Sequence, residues 1–324
     1  MDQPQQKHMT ASQARLQLEK IEQNVETIIR GKNEAVRMAM MGLLAQGHIL
    51  FEDVPGTGKT TLAHCLASSL NLSFHRVQGT SDLLPSDILG VSIYDPQHKE
   101  FRFKAGPIFA NVVLVDEINR ATPKTQSALL EAMNTAQVSI DGRTWDLPKP
   151  FLVIATQNPI ESQGTFPLPK SQLDRFMMRL GIGYPDATHE QQILRDLRET
   201  TDFSKIRPVV DQPDLICMQA GVREVTVDDS LLAYMVRLVG ATRHAANIEL
   251  GASPRAALAL RNAAQARAYI DGRDYVVPED IKAMAVPVLA HRLGVIRTFE
   301  ESAGLLGGGN ATVEALLEQT PVPI

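Results

Sequence analysis

The chain has 324 residues, 44% of them hydrophobic and 21% charged, with a formal net charge of −5. That length accommodates about two domains, the composition is that of a packed globule, and the acidic balance argues against broad contact with DNA or RNA, a local basic patch being the alternative. No apolar run approaches the ~20 residues of a membrane span, the opening MDQPQQKHMT lacks the apolar core of a secretory signal, and two cysteines, Cys65 and Cys217, suggest neither a disulfide framework nor a zinc site.

A cytoplasmic protein is therefore expected. Residues 1–10 read as a polar tail, and residues 11–46 as two helices broken at Gly31. From there to residue 185 short apolar runs (HILFED, SFHRVQ, NVVLVDE and PFLVIATQN) alternate with helical stretches, the pattern of a parallel sheet covered by helices on both faces. Two hairpins interrupt it. In VSIDGRTWDL a turn at Asp141-Gly142 would pair Val138 with Trp145, and VSIYDPQHKEFRF would turn near Asp95-Pro96. Such hairpins either grip a partner or, in the plainer alternative, Trp145 packs beneath its own hairpin. Beyond residue 185 alanine-rich helical segments take over, with three glycines at 307–309 before a short helix, TVEALLEQ. The division expected is a tail (1–10), an α/β core (11–185) and a helical second domain (186–324).

FEDVPGTGKTTLA, residues 51–63, has the form of a phosphate-binding loop between a strand and a helix. Its glycines let backbone amides close round phosphate oxygens at a helix N-terminus, Lys59 neutralises the β and γ phosphates, and the Thr60 hydroxyl suits Mg²⁺. Asp53 stands where the strict motif has glycine, a change that affects backbone ease and removes no phosphate ligand.

VVLVDEINR, residues 112–120, is an apolar strand ending in two carboxylates. Asp116 is placed to hold Mg²⁺ through water and Glu117 to polarise an attacking water, whereas an ordinary polar strand end is the alternative. In IATQNP, Asn158 either orients that water or opens a turn before Pro159. QLDRF carries Arg175. In GASPRAAL, Ser253 reads as an N-cap and Pro254 as the first helical residue, which puts the Arg255 cation in the first turn, against the helix dipole, where a nearby anion would favour it. For both arginines a solvated surface charge or a local ion pair is the alternative.

In this order the residues resemble the AAA+ ATPases, and within them the MoxR branch, over nearly the whole chain. The resemblance rests on VPGTGKT, LLPSDILG, FKAGPIFANVVLVDEINRATPKTQSALLEAMN, ATQNPIESQGTFPLPKSQLDRF and SPRAAL. It implies an AAA+ P-loop core with an all-α lid, hydrolysing ATP with Mg²⁺. Pro55, Gly56, Thr57, Gly58, Lys59, Thr60 and Thr61 would hold the nucleotide, and Ile28, Ile29 and Gly31 would contact the adenine. Asp116 and Glu117 would form the Walker B pair, Thr60 and Asp116 the metal ligands, and Asn158 sensor 1. Arg175, with Arg179 as a second basic residue nearby, would be an arginine finger reaching the neighbouring subunit's γ-phosphate, and Arg255 sensor 2. The resemblance further implies a homo-oligomeric ring, most often of six subunits, remodelling a protein client or assisting metal insertion beside a von Willebrand factor A domain partner. A DNA-translocating motor using the hairpins and an ATP-switched binding module are the alternatives.

Overall fold

The computed structural model describes residues 8–54, 56–159, 164–184, 187–196, 206–296 and 307–323. The first helix, α1 (Ala11–Glu26), is started by a capping box between Thr10 and Gln13, and Ala14, Leu18, Ile21 and Val25 recur along its buried face. α2 (Asn33–Leu44) follows Gly31, which takes a left-handed φ of +69°. Next come β1 (Ile49–Glu52), α3 (Lys59–Ser69), β2 (Phe74–Gln78), α4 (Pro85–Leu89) and a hairpin of β3 (Gly90–Asp95) and β4 (Glu100–Ala105). β5 (Val112–Asp116), α5 (Pro123–Thr135), a second hairpin of β6 (Gln137–Ile140) and β7 (Arg143–Asp146), β8 (Leu152–Gln157), α6 (Lys170–Leu173) and β9 (Met178–Leu180) complete the α/β part.

The sheet has five strands in the order β2-β5-β8-β1-β9, all parallel. Side chains alternate across it: Ile49, Phe51, Leu114 and Ile154 enter one core, and Leu50, Val113, Val115 and Val153 enter the other. Two-sided burial explains why these strands read as unbroken apolar runs. The edge strand β9 is not apparent from sequence, being only Met178–Leu180 with Gly181 directly after it.

Val138 does pair with Trp145 in the second hairpin, with Asp141 and Gly142 both at positive φ. Trp145, however, does not simply pack under its own strands. Its ring stacks on Phe103 of the first hairpin, with centroids 4.8 Å apart and planes 21° from parallel. The two hairpins are thereby joined by an aromatic contact.

The remaining helices are α7 (Ala187–Asp196), α8 (Gln212–Glu224), α9 (Asp229–Ala241), α10 (Pro254–Ile270), α11 (Pro278–Leu289) and α12 (Gly307–Gln319). A short antiparallel ribbon of β10 (Ile248–Leu250) and β11 (Gly294–Val295) lies among them, so this part is helical but not wholly so. Its strands are too short to leave an alternation in the sequence. α10 packs against α1, α2, α8, α9 and α11, and its buried residues share one continuous core with a face of the sheet. The glycines at 307–309 lie inside α12 and do not precede it. A Cβ at Gly309 would stand 2.7 Å from the Ala290 carbonyl oxygen, so the lack of a side chain there allows the helix to approach residues 290–292.

Candidate nucleotide site

β1 delivers the chain through Asp53 and Val54 into the phosphate loop. Gly56 and Gly58 hold φ of +83° and +91° with nothing within 4 Å of where a Cβ would stand, so conformation and not crowding requires glycine there. Gly58 is also the N-cap of α3, which directs loop amides and the helix's first turn at one point. Pro55 lies outside the described residues.

A cavity of about 320 Å³ opens at this point, lined by Asp53, Gly56, Gly58, Lys59, Thr60, Thr61, Asp116, Glu117, Thr156, Gln157 and Asn158. Strand order produces the convergence. β8 lies between β1 and β5, so its carboxyl end, Thr156 to Asn158, falls between the phosphate loop and the two carboxylates.

The Lys59 ammonium donates to Val54 O at 2.6 Å, Asp53 O at 3.2 Å and Thr57 Oγ1 at 3.3 Å. Burial lowers its pKa from the usual lysine value, while the carboxylates of Asp53, Asp116 and Glu117 pull in the opposite direction. An arriving phosphate would exchange for these weaker neutral acceptors.

Asp116 accepts from the Thr156 hydroxyl at 2.6 Å and pairs with Arg76 at 2.6 Å. The same Thr156 hydroxyl accepts from the Glu117 amide at 2.8 Å, so one threonine sets both acidic residues. Glu117 itself has φ 54° and ψ 51°, an uncommon left-handed conformation for a side chain of this size. Gly79 makes room for it, since a Cβ there would collide with the Glu117 carbonyl oxygen. The Glu117 carboxylate accepts from Gln78 at 3.0 Å and pairs with Arg120 at 3.1 Å.

The Thr60 hydroxyl and Asp116 face the same cavity, and such a hard-oxygen pair suits Mg²⁺, which is held by few protein ligands together with water and phosphate. Among the described residues no group of three or more His, Cys, Asp or Glu could hold a metal on its own.

Gly31, expected from the resemblance to lie beside the adenine, lines a cavity of about 280 Å³ with Lys32, Glu34, Ala35, Met38, Leu180, Gly181 and Ile182. Ile29 is buried in the core and Ile28 packs against it, so the apolar wall here comes from Ala35, Met38, Leu180 and Ile182.

Two sequence candidates lie elsewhere. Arg175 donates to Leu130 O and Arg255 to Asn134 Oδ1 at 2.7 Å, so the two guanidinium groups sit one turn apart along α5. Asn134 follows Met133, whose carbonyl oxygen is bonded to His48 immediately before β1. Arg255 therefore lies toward the strands' amino ends, whereas Lys59 lies beyond the carboxyl end of β1. Ser253 is the N-cap of α10, but its hydroxyl donates to Asp174 at 3.1 Å and caps no amide. Arg179 pairs with Glu52 at 2.8 Å and bonds Asn310 within the same chain, so it is already engaged.

Sequence reading missed Thr156 and Arg76. A polar residue 1% exposed in the otherwise apolar LVIAT run was the available signal for Thr156; Arg76 lies on the edge strand and carries none.

This geometry defines a phosphate-loop nucleotide-binding protein of the parallel α/β class. A family described as "ATPase family associated with various cellular activities (AAA)" matches residues 48–178, and one described as "AAA lid domain" matches residues 240–314. The chain is similar to YeaC of Bacillus subtilis, 46% identical over 85% of this chain and 86% of that one. It is also similar to the chaperone MoxR1 of Mycobacterium tuberculosis, 42% identical over 83% of this chain and 73% of that one. A crystal structure of a candidate ATPase from Cytophaga hutchinsonii matches with a TM-score of 0.88 at 37% identity, covering 97% of each chain. The chain belongs to the MoxR family of AAA+ ATPases, and its activity is ATP hydrolysis.

Proposed function

We propose that the protein hydrolyses Mg²⁺-ATP at the interface between copies of itself in a closed ring, most simply of six, and uses the cycle for chaperone-like remodelling. The observation that carries this reading is the separation of the two halves of the chemistry within one chain. Lys59, Asp116, Glu117 and Asn158 line one cavity, while Arg175 and Arg255 lie together at the opposite end of the strands. Two neighbouring arginines, Arg255 exposed and Arg175 half-buried, remote from their own phosphate loop, suit insertion into the next subunit's pocket, a head-to-tail contact that closes into a ring.

In that pocket the loop amides and Lys59 bind the phosphates, and Glu117 accepts a proton from the attacking water that Asn158 helps to orient. Thr60 and Asp116 would hold Mg²⁺, which supplies charge neutralisation to the transferring phosphoryl group. Arg175 and Arg255 stabilise charge that develops there and lose their partner after hydrolysis, which moves one subunit against the next. Residues 11–185 would form the nucleotide core and 186–324 the lid. The chaperone named among the relatives supports a protein client, and the family resemblance supports maturation or metal insertion beside a von Willebrand factor A domain protein in the cytoplasm.

The test is steady-state Mg²⁺-ATP turnover with nucleotide affinity measured in parallel. Glu117→Gln is expected to lower kcat about a hundredfold or more while still binding ATP. Turnover equal to wild type would reject the assignment.

A further inference from the structure

Asp53 has more contacts than a phosphate loop requires. Its backbone carbonyl oxygen accepts from Lys59 at 3.2 Å. One carboxylate oxygen accepts from the Val54 amide at 2.8 Å, and the other accepts from two successive amides, Ile182 at 2.8 Å and Gly183 at 2.6 Å. The two successive amides converge on one carboxylate oxygen, as in a small anion nest, and Gly183 then redirects the chain with a left-handed φ of +68°. On the other side of this segment the Lys32 ammonium donates to the carbonyl oxygens of Ile182, Gly183 and Tyr184 at 3.0, 3.0 and 2.7 Å, using all three of its protons. Residues 182–184 thus have amides held by the phosphate loop and carbonyls held by the residue before α2. They are the chain leaving β9, and Ile182 also lines the cavity beside Gly31.

We propose that Asp53 is a positioning residue that couples the phosphate loop to the segment leading from the sheet to the helical part, with Lys32 as the opposing jaw. This rests on the nucleotide-site reading above. When Lys59 turns from the Asp53 carbonyl to a phosphate, the peptide that carries the carboxylate is released on one side, and the shift passes directly to Ile182 and Gly183. Glycine at this place would leave the phosphate loop able to close but unconnected, which gives a physical reason for aspartate. Charge-assisted bonds to two amides are stronger than neutral ones and are lost with the carboxylate.

The experiment measures hydrogen exchange of the Ile182 and Gly183 amides with and without a non-hydrolysable Mg²⁺-ATP analogue, together with analogue affinity and turnover, for wild type, Asp53→Gly and Lys32→Met. Wild type should show slow exchange at both amides that changes several-fold with the analogue. Asp53→Gly should keep affinity within about threefold, lose protection and its nucleotide response at both amides, and lower kcat about tenfold with little change in KM. Lys32→Met should weaken the same nucleotide response at both amides. The proposal is overturned if Asp53→Gly retains the nucleotide response and kcat, or if it loses analogue binding outright, since Asp53 would then serve the phosphates alone. Failure of wild type to bind the analogue would overturn the nucleotide-site reading as well, and that result is read before any variant is compared.

Discussion

At the scale of single residues, His48 shows how a buried titratable group ties stability to pH. Its Nδ1 accepts from the Val153 amide at 3.0 Å, and its other ring nitrogen is 2.9 Å from Met133 O, which assigns a neutral ring donating there. Burial, with the Arg255 charge adding to it, lowers the pKa from 6.5 to about 4. The unfolded chain therefore takes up a proton first as pH falls, so the stability that this neutral ring contributes is complete above pH 6.5 and is lost on the way down to about pH 4. Between pH 7 and pH 5 the loss from this residue is about 2 kcal/mol. Urea unfolding at the two values should show a smaller pH dependence in His48→Gln than in wild type, and parallel profiles would contradict the assignment. His291, also buried and lowered in pKa, acts in the same direction and remains in both proteins. Lys59, Thr60, Asp116 and Glu117 could be singled out in the sequence because a glycine loop and a strand ending in acids are local patterns, and the fold brings all four to one cavity. Thr156 is not, because its role arises from the register of β5 on β8, where Val115 faces Ala155 and the next pair brings Thr156 to Asp116.

At the scale of elements, the two hairpins act as one unit through the Phe103–Trp145 stack, and Phe103 also meets Phe109 edge-on at 5.5 Å. A double-mutant cycle on unfolding, with Phe103→Leu and Trp145→Leu, should give a coupling of about 1 kcal/mol. Strictly additive effects would show that the stack contributes nothing beyond burial. The first four sheet strands and both hairpins can be read from the sequence, since each buries or alternates enough residues to leave a pattern. β9 and the β10–β11 ribbon cannot, because strands of two or three residues fall below the length at which period-2 alternation is visible. The glycines of α12 mislead for a different reason. Local propensity places them before a helix, whereas close packing on Ala290 favours them inside it.

At the scale of the whole molecule, the sequence supplies both arginines but not their position relative to the phosphate loop. Arg255 follows a helix cap, and nothing local says that α10 begins beside α5 and α6; Arg255 bonds Asn134 of α5, and Asp174, directly after α6, accepts from Ser253 and pairs with Arg292 at 3.1 Å. The same junction sets Arg175 and Arg255 side by side, so a ring would insert both as one tool. The most direct measurement of this account is ATP turnover of mixed rings made from Lys59→Ala and Arg175→Ala chains, each nearly inactive alone. In an equal, random mixture about a quarter of the pockets would combine an intact lysine with an intact neighbouring arginine, so turnover should recover to roughly a quarter of wild type. If turnover stays at the sum of the two separate variants, although the chains demonstrably co-assemble, the shared pocket is contradicted.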